Sequence, residues 1–497
     1  MKSGRYLYAG AVVVALVVGL GFWNPMHVKA DRDGTPKFRV DPFWPKPLPA
    51  PVGTDGIAHR WVTGEVAASC TDANDNVYTF NRGFQSGGLV GQDGTSAGAI
   101  PSPPVVAYTP EGGVFAHWGN PVLNTGTATG AYTAAQAAGR NAYLPNGAHG
   151  CFVDYQGHVW LGGNGDGVVD KYNAAAAAAA GASATFSQRI GHKDICDTMT
   201  GICGANPNST THFANNASHV LLNDPPDIAV DPDEGPVSHK RGDIYIADGY
   251  GNYRVVVFDR DGNYVGQWGQ PCVNGTSAGI ETPNGTDTPG NPCPGNSFGV
   301  TGGGHPHCVV LGNDGNVYLC DRPNGRIIVI GKTSHWIQPS TGSGCTSFTV
   351  PPSGACTPPT PAAPKRVMYI GTNGSTFPSS ANPAKVAAIL SANTRACDMD
   401  FYPNIDYLAN DSPTHQKYIV DVVLDADVTV LLDKASGNVL SSFGRCGIAP
   451  CPGHNAGEFA YNHTTNVDSQ GNVYIAETIT GRRIQKFVRV DEGNDQH

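Results

Sequence analysis

Charge is scarce in this 497-residue chain, with only 14% of residues Asp, Glu, Lys or Arg against 40% hydrophobic. Positive charge is scarcer still: 31 Lys and Arg face 41 Asp and Glu, for a formal net charge of −10. No basic run stands out, which argues against nucleic acid as a partner, because phosphate recognition needs clustered Lys and Arg. Beyond residue 30 no apolar stretch approaches the about 20 residues that a membrane-spanning helix needs. Neither a CxxCH haem-attachment motif nor a paired CxxC knuckle occurs among the 13 cysteines. Haem attachment and knuckle-type zinc binding therefore drop out, and the cysteines read as staples.

Turn residues are what the chain has in quantity, with 64 Gly and 38 Pro. The first thirty residues read as an export signal: Lys2 and Arg5, an apolar run from Ala9 to Phe22, then Val28-Lys29-Ala30 as a small-residue cleavage site. The alternative is an uncleaved membrane anchor, for which the apolar run is short; with cleavage, residues 31–497 form a single mature domain, secreted or periplasmic, with no membrane span. An exported chain with many cysteines is expected to form disulfides. Local candidates are Cys196–Cys203, Cys272–Cys293, Cys345–Cys356 and Cys446–Cys451, all in loop-like sequence, with Cys308–Cys320 facing each other across a hairpin. An odd count leaves at least one thiol over.

A repeat organises the mature chain. Its unit is an apolar strand, an Asp-x-x-Gly-Asn type turn, a strand like Val-Tyr-Ile-Ala, a polar loop, a third strand and a fourth ending in aromatic-Gly. The fullest copy runs from Pro226 to Gly269, and others centre on Asp72–Arg82, Asp154–Tyr172, Asp314–Ile330, Tyr418–Phe443 and Asp468–Phe487. Six copies of four short strands predict an all-β fold, a six-bladed β-propeller. The last copy lacks an outer strand, and PKFRVDPFWP near the N-terminus is expected to supply it and close the ring. Insertions at about 193–222, 270–302 and 333–415 read as long disulfide-stapled loops, and Ala174–Ala180 as a short helical bulge.

Three histidines share one position in alternate copies: His149 in NGAHGCFVDYQGHVW, His307 in GHPHCVVLGNDGNVY and His463 in YNHTTNVDSQGNVY. First strands line a propeller's channel, so these imidazoles are expected to converge. Three His with an open fourth position form the ligand set of a catalytic zinc site. Arg82, Tyr250 and Arg322 each follow a second strand, which ends at the same mouth. Neutral imidazoles to hold an ion, a phenol to exchange a proton and guanidiniums to hold a carboxylate suit metal-assisted chemistry. His305 should lie on the opposite strand face and be structural, and His158, His192, His212 and His219 lack the positional match.

The segments IADGYGNYRVVVF, HPHCVVLGNDGNVYLCDRPNGRI, LPNGAHGCFVDYQGHVW and NVYTFNRG resemble the peptidyl-α-hydroxyglycine α-amidating lyase domain, a six-bladed propeller of the NHL-repeat type. The resemblance runs from about Phe38 to Val488, outside the insertions. It implies zinc on His149, His307 and His463, Tyr250 as catalytic tyrosine, and Arg82 and Arg322 as active-site arginines. It also implies calcium held by the backbone carbonyls of Ser69 and Cys151 and by an aspartate. Thr464 stands where that aspartate belongs, and a neutral hydroxyl is the poorer ligand. Gly251 replaces a cysteine, removing one family disulfide, and the family's copper monooxygenase partner is absent from this chain. The implied reaction cleaves a carbinolamide N–C(OH) bond in a peptide or small molecule bearing a carboxylate, giving an amide and glyoxylate. Two other readings stand beside it: a non-catalytic propeller that binds a protein or glycan, and a lactonase-type hydrolase, whose metal would sit on carboxylate and Asn side chains.

Overall fold

The computed structural model describes residues 35–52, 56–58, 60–83, 99–119, 144–174, 184–198, 200–203, 216–234, 240–272, 293–299, 305–348, 355–370, 396–403, 416–444 and 453–490. The proposed signal segment, the Cys446–Cys451 pair, His212 and most of the alanine run lie outside these residues. Six four-stranded antiparallel-type sheets make the six blades, each running from an inner strand at the channel to an outer strand at the rim. The inner strands are Glu65–Thr71, Ala148–Val153, Asp227–Val230, Val309–Leu311, Ala396–Tyr402 and Asn462–Val467.

Hairpin turns set this period. In the Asp-led turns the aspartate accepts hydrogen bonds from backbone two and four residues on, as Asp154 does from Gln156 and His158 (2.9 Å each) and Asp468 from Gln470 and Asn472 (3.0 and 2.7 Å). The turn then closes on a residue at positive φ, such as Gly157 (80°) or Gly471 (78°). Glycine adopts that conformation at no steric cost. Apolar residues alternate along the strands, so both sheet faces bury side chains against neighbouring blades. The result is six apolar clusters, one between each adjacent pair, for example Trp160, Val169, Ile228 and Ile246 between blades two and three.

Strand Lys37–Val40 pairs with Arg483–Val490 as the outermost strand of blade six, so the N-terminal segment completes the last blade as the sequence suggests. Phe38 packs there on Tyr402 and Phe443, with ring centroids 5.3 and 5.0 Å apart.

The assignment of 333–415 as one insertion needs correction. It contains Arg366–Tyr369, the outer strand of blade four, and Ala396–Tyr402, the inner strand of blade five. The second, ACDMDFY, carries two aspartates and sits behind a polar stretch, so it lacks the apolar run that marks other inner strands. Four of the five local disulfides form as expected, Cys196–Cys203, Cys272–Cys293, Cys308–Cys320 and Cys345–Cys356. A fifth, Cys70–Cys151, joins the inner strands of blades one and two.

Candidate metal centre

Two of the three histidines are extra residues in bulged strands. In blade two the pairing register slips between Ala148 and Gly150, and in blade six between Asn462 and Thr464. His149 and His463 are therefore unmatched across the hairpin, and a bulge re-aims the side chain it releases. His307 precedes the inner strand of blade four and is anchored by its N–H, which donates to the Cys320 carbonyl at 2.8 Å. All three side chains are buried, and their ring centroids lie 4.5–5.1 Å apart. One ligating nitrogen from each lies within 4.8 Å of the other two.

Backbone carbonyls fix the tautomers. His149 Nδ1 sits 3.0 Å from the Pro226 oxygen, and His463 Nδ1 sits 2.6 Å from the Ala67 oxygen. A carbonyl only accepts, so each Nδ1 carries the proton and each Nε2 turns a lone pair inward, the arrangement that orients metal-binding imidazoles. Gly150 makes the first contact available, since a Cβ there would stand 2.4 Å from the Pro226 oxygen. Burial, reinforced by the other histidines and by Arg82 and Arg322, holds His149 well below the usual imidazole range. His463 is likewise lowered, by burial first and then by the arginines. Both are neutral, the form that binds a metal.

Tyr250 lies in the loop between strands Ile244–Asp248 and Arg254–Phe258 of blade three. Its phenol oxygen is 3.0 Å from His149 Nε2 and 3.2 Å from His307 Nε2, and it accepts from Arg322 Nη1 at 3.2 Å. One phenol proton cannot serve two ring nitrogens at once, whereas a cation among the three Nε2 atoms would use all their lone pairs. The donor set thus fits a transition metal with an open position. Arg322 begins a 3-10 turn and places its guanidinium 5.7 Å from the Tyr250 ring. Arg82 lies within strand Val77–Gly83 rather than past it, and its Nε donates to the Ala148 carbonyl at 2.7 Å. Its buried Nη2 has no hydrogen-bond partner among the described residues, which leaves a cationic donor for a ligand.

The six site residues named from sequence therefore come together. His305 does not join them: it is buried and stacks on Tyr253, centroids 5.5 Å apart. His158 caps its own turn on Asp154, and His219 stacks on Tyr264. Ser69, Cys151 and Thr464 line the same channel as His149 and His307. A second cluster, Cys196, Cys203 and Asp224, has metal-like spacing, but its two sulfurs are joined as a disulfide and offer no thiolate pair.

Several supporting residues escape a motif search. Fully buried ion pairs close the bases of the loops that bear Tyr250 and Arg322: Arg254 on Asp248 (2.8 Å) beneath Tyr250, and Arg326 on Asp321 (2.7 Å) beneath Arg322. An acid ending the second strand, with Arg five or six residues on, is the signal, and Glu477–Arg483 repeats it. Channel carboxylates tie neighbouring blades: Asp227 accepts from Val309 N–H (2.9 Å), Asp398 from Thr465 (2.8 Å) and Asp400 from Val467 (2.7 Å).

No protein-family model matches the sequence. Among solved structures the chain is similar to a streptogramin B lyase, at 10% identity over 86% of this chain and 94% of that one, with a TM-score of 0.35. Likeness at that level carries no argument for activity. The propeller assignment rests on the order of strands in the six sheets.

Proposed function

We propose that this protein is an exported, zinc-dependent lyase that splits a carbinolamide N–C(OH) bond in an α-hydroxyglycine-type peptide or small molecule. The observation that carries the reading is the convergence of one ligating nitrogen from each of His149, His307 and His463, with the Tyr250 oxygen against Nε2 of His149 and of His307 and itself bonded to Arg322. Zinc on His149, His307 and His463 would supply Lewis-acid polarisation of a substrate oxygen. Tyr250, as the phenolate, would take the hydroxyl proton and pass it on to the departing amide nitrogen. The O–H electron pair left on oxygen forms the aldehyde carbonyl, the C–N pair leaves with nitrogen, and nitrogen takes the proton held by Tyr250. Arg322 and the free Nη2 of Arg82 hold the substrate carboxylate in a buried setting where charge-assisted bonds are strong. The products are an amide and glyoxylate.

The five disulfides among the described residues support an oxidising location. No helix among the described residues is long and apolar enough to cross a membrane. With Thr464 in place of a carboxylate, calcium is not assigned to the channel.

The test couples elemental analysis with glyoxylate release from an α-hydroxyglycine compound. Wild type should bind one zinc and turn the compound over. Tyr250→Phe should keep the metal and lose about 10²–10⁴-fold in rate, the usual general-base contribution. His149→Ala should lose most of the metal, while His305→Ala keeps it. Absence of glyoxylate from every such compound with the zinc-loaded wild type would overturn the lyase reading.

A further inference from the structure

The Cys70–Cys151 disulfide differs from the other four among the described residues in where it runs. Those close loops of 7, 21, 12 and 11 residues, whereas this one spans 81 residues and joins two blades inside the channel. The two strands it joins orient most of the metal centre. Glu65–Thr71 carries Ala67, a bulged residue whose carbonyl fixes His463. Ala148–Val153 carries His149 itself and, at Ala148, the carbonyl that fixes Arg82. Cys151 stands two residues after His149, and Cys70 three residues after Ala67. A shift of one strand past the other would therefore move His149 relative to His463 and rotate both out of their inward setting.

We propose that this disulfide is a positioning element for the metal centre, so that tight metal binding requires its oxidised form. The inference rests on the reading of the three histidines as metal ligands. A staple that only stabilises the fold acts mainly by restricting the unfolded chain and would leave the folded site's affinity alone. A brace acts on the folded site, and loss of such supporting contacts weakens metal binding by about 10–100-fold.

The experiment measures zinc affinity by competition with a chromophoric chelator, alongside the melting temperature of the metal-free protein. The Cys70→Ala/Cys151→Val variant should bind zinc about 10–100-fold more weakly, while a Cys272→Ala/Cys293→Ala control binds as wild type does. Unchanged affinity with a lowered metal-free melting temperature would overturn the proposal and leave a stability staple. Should the channel variant fail to fold, the folded wild type is compared before and after treatment with a dithiol. That reagent gives two electrons and two protons to the disulfide, yields the Cys70 and Cys151 thiols, and becomes a cyclic disulfide itself. Zinc release to the chelator should quicken once those two thiols appear, and an unchanged rate would count against the brace. If oxidised wild type binds no zinc at all, the metal reading itself fails, a result visible before any variant is compared.

Discussion

Asp421 shows how much a single side chain can work against its surroundings. It sits in strand Tyr418–Val423, opposite Met399 and Val430 in the apolar core between blades four and five. Neither of its oxygens has a hydrogen-bond partner among the described residues. Burial holds its carboxyl well above the ordinary carboxylate range, so the folded protein keeps it protonated. The unfolded chain ionises it near pH 3.9. Between that pH and the folded pKa the unfolded state holds fewer protons, so stability falls as pH rises, by about 1.4 kcal/mol per pH unit. Asp421→Asn cannot ionise, and it should match wild type near pH 4 and exceed it increasingly toward pH 7 in urea unfolding. A constant difference across that range would mean the acid is ionised in the fold. The histidine convergence was legible because three copies repeat one position. Asp421 was not, because a lone acid in IVDVV gives no sign of which face it occupies.

At the scale of an element, the loops bearing Tyr250 and Arg322 are held at their bases rather than along their length. Arg254 is fully buried and reaches Asp248, the Ser218 and Leu221 carbonyls and Gln267. Removing one member of a buried pair leaves the other charge uncompensated, at about 3–5 kcal/mol. Arg254→Leu should therefore cost about that much in chemical denaturation. Ser469→Ala, which removes an exposed hydroxyl bond to Asp75 (2.8 Å), should cost markedly less. Equal losses would show that burial is not what gives the Arg254 pair its weight. The same scale explains the missed inner strand of blade five. Strands were recognised by Asp-Gly turns and apolar runs, and Ala396–Tyr402 has neither, because Asp398 and Asp400 are spent on bonds to blade six. The Cys70–Cys151 bond was hidden for a related reason. Its ends lie in different repeats, and only the ring's curvature brings neighbouring inner strands side by side.

For the whole molecule, strand Lys37–Val40 is the closing piece. Without it, strand Arg483–Val490 would present an open edge, and Tyr402, Phe443 and Phe487 would lose cover. Open, flat edges pair with other chains, so a variant lacking residues 35–40 should form soluble aggregates by light scattering, where the full chain stays monodisperse. A monodisperse truncated form would show that blade six is sealed without its fourth strand. The closing strand also sets an order in time. It leaves the ribosome, or an export channel, among the first folded segments, yet its partner strand comes almost last. Blades one and two can meet, and their cysteines oxidise, while most of the chain is still to come. The closing strand therefore waits unpaired until residues 483–490 have emerged. The dangerous interval for this protein is thus the one just before residues 483–490 emerge, when a nearly closed ring is open at a single seam.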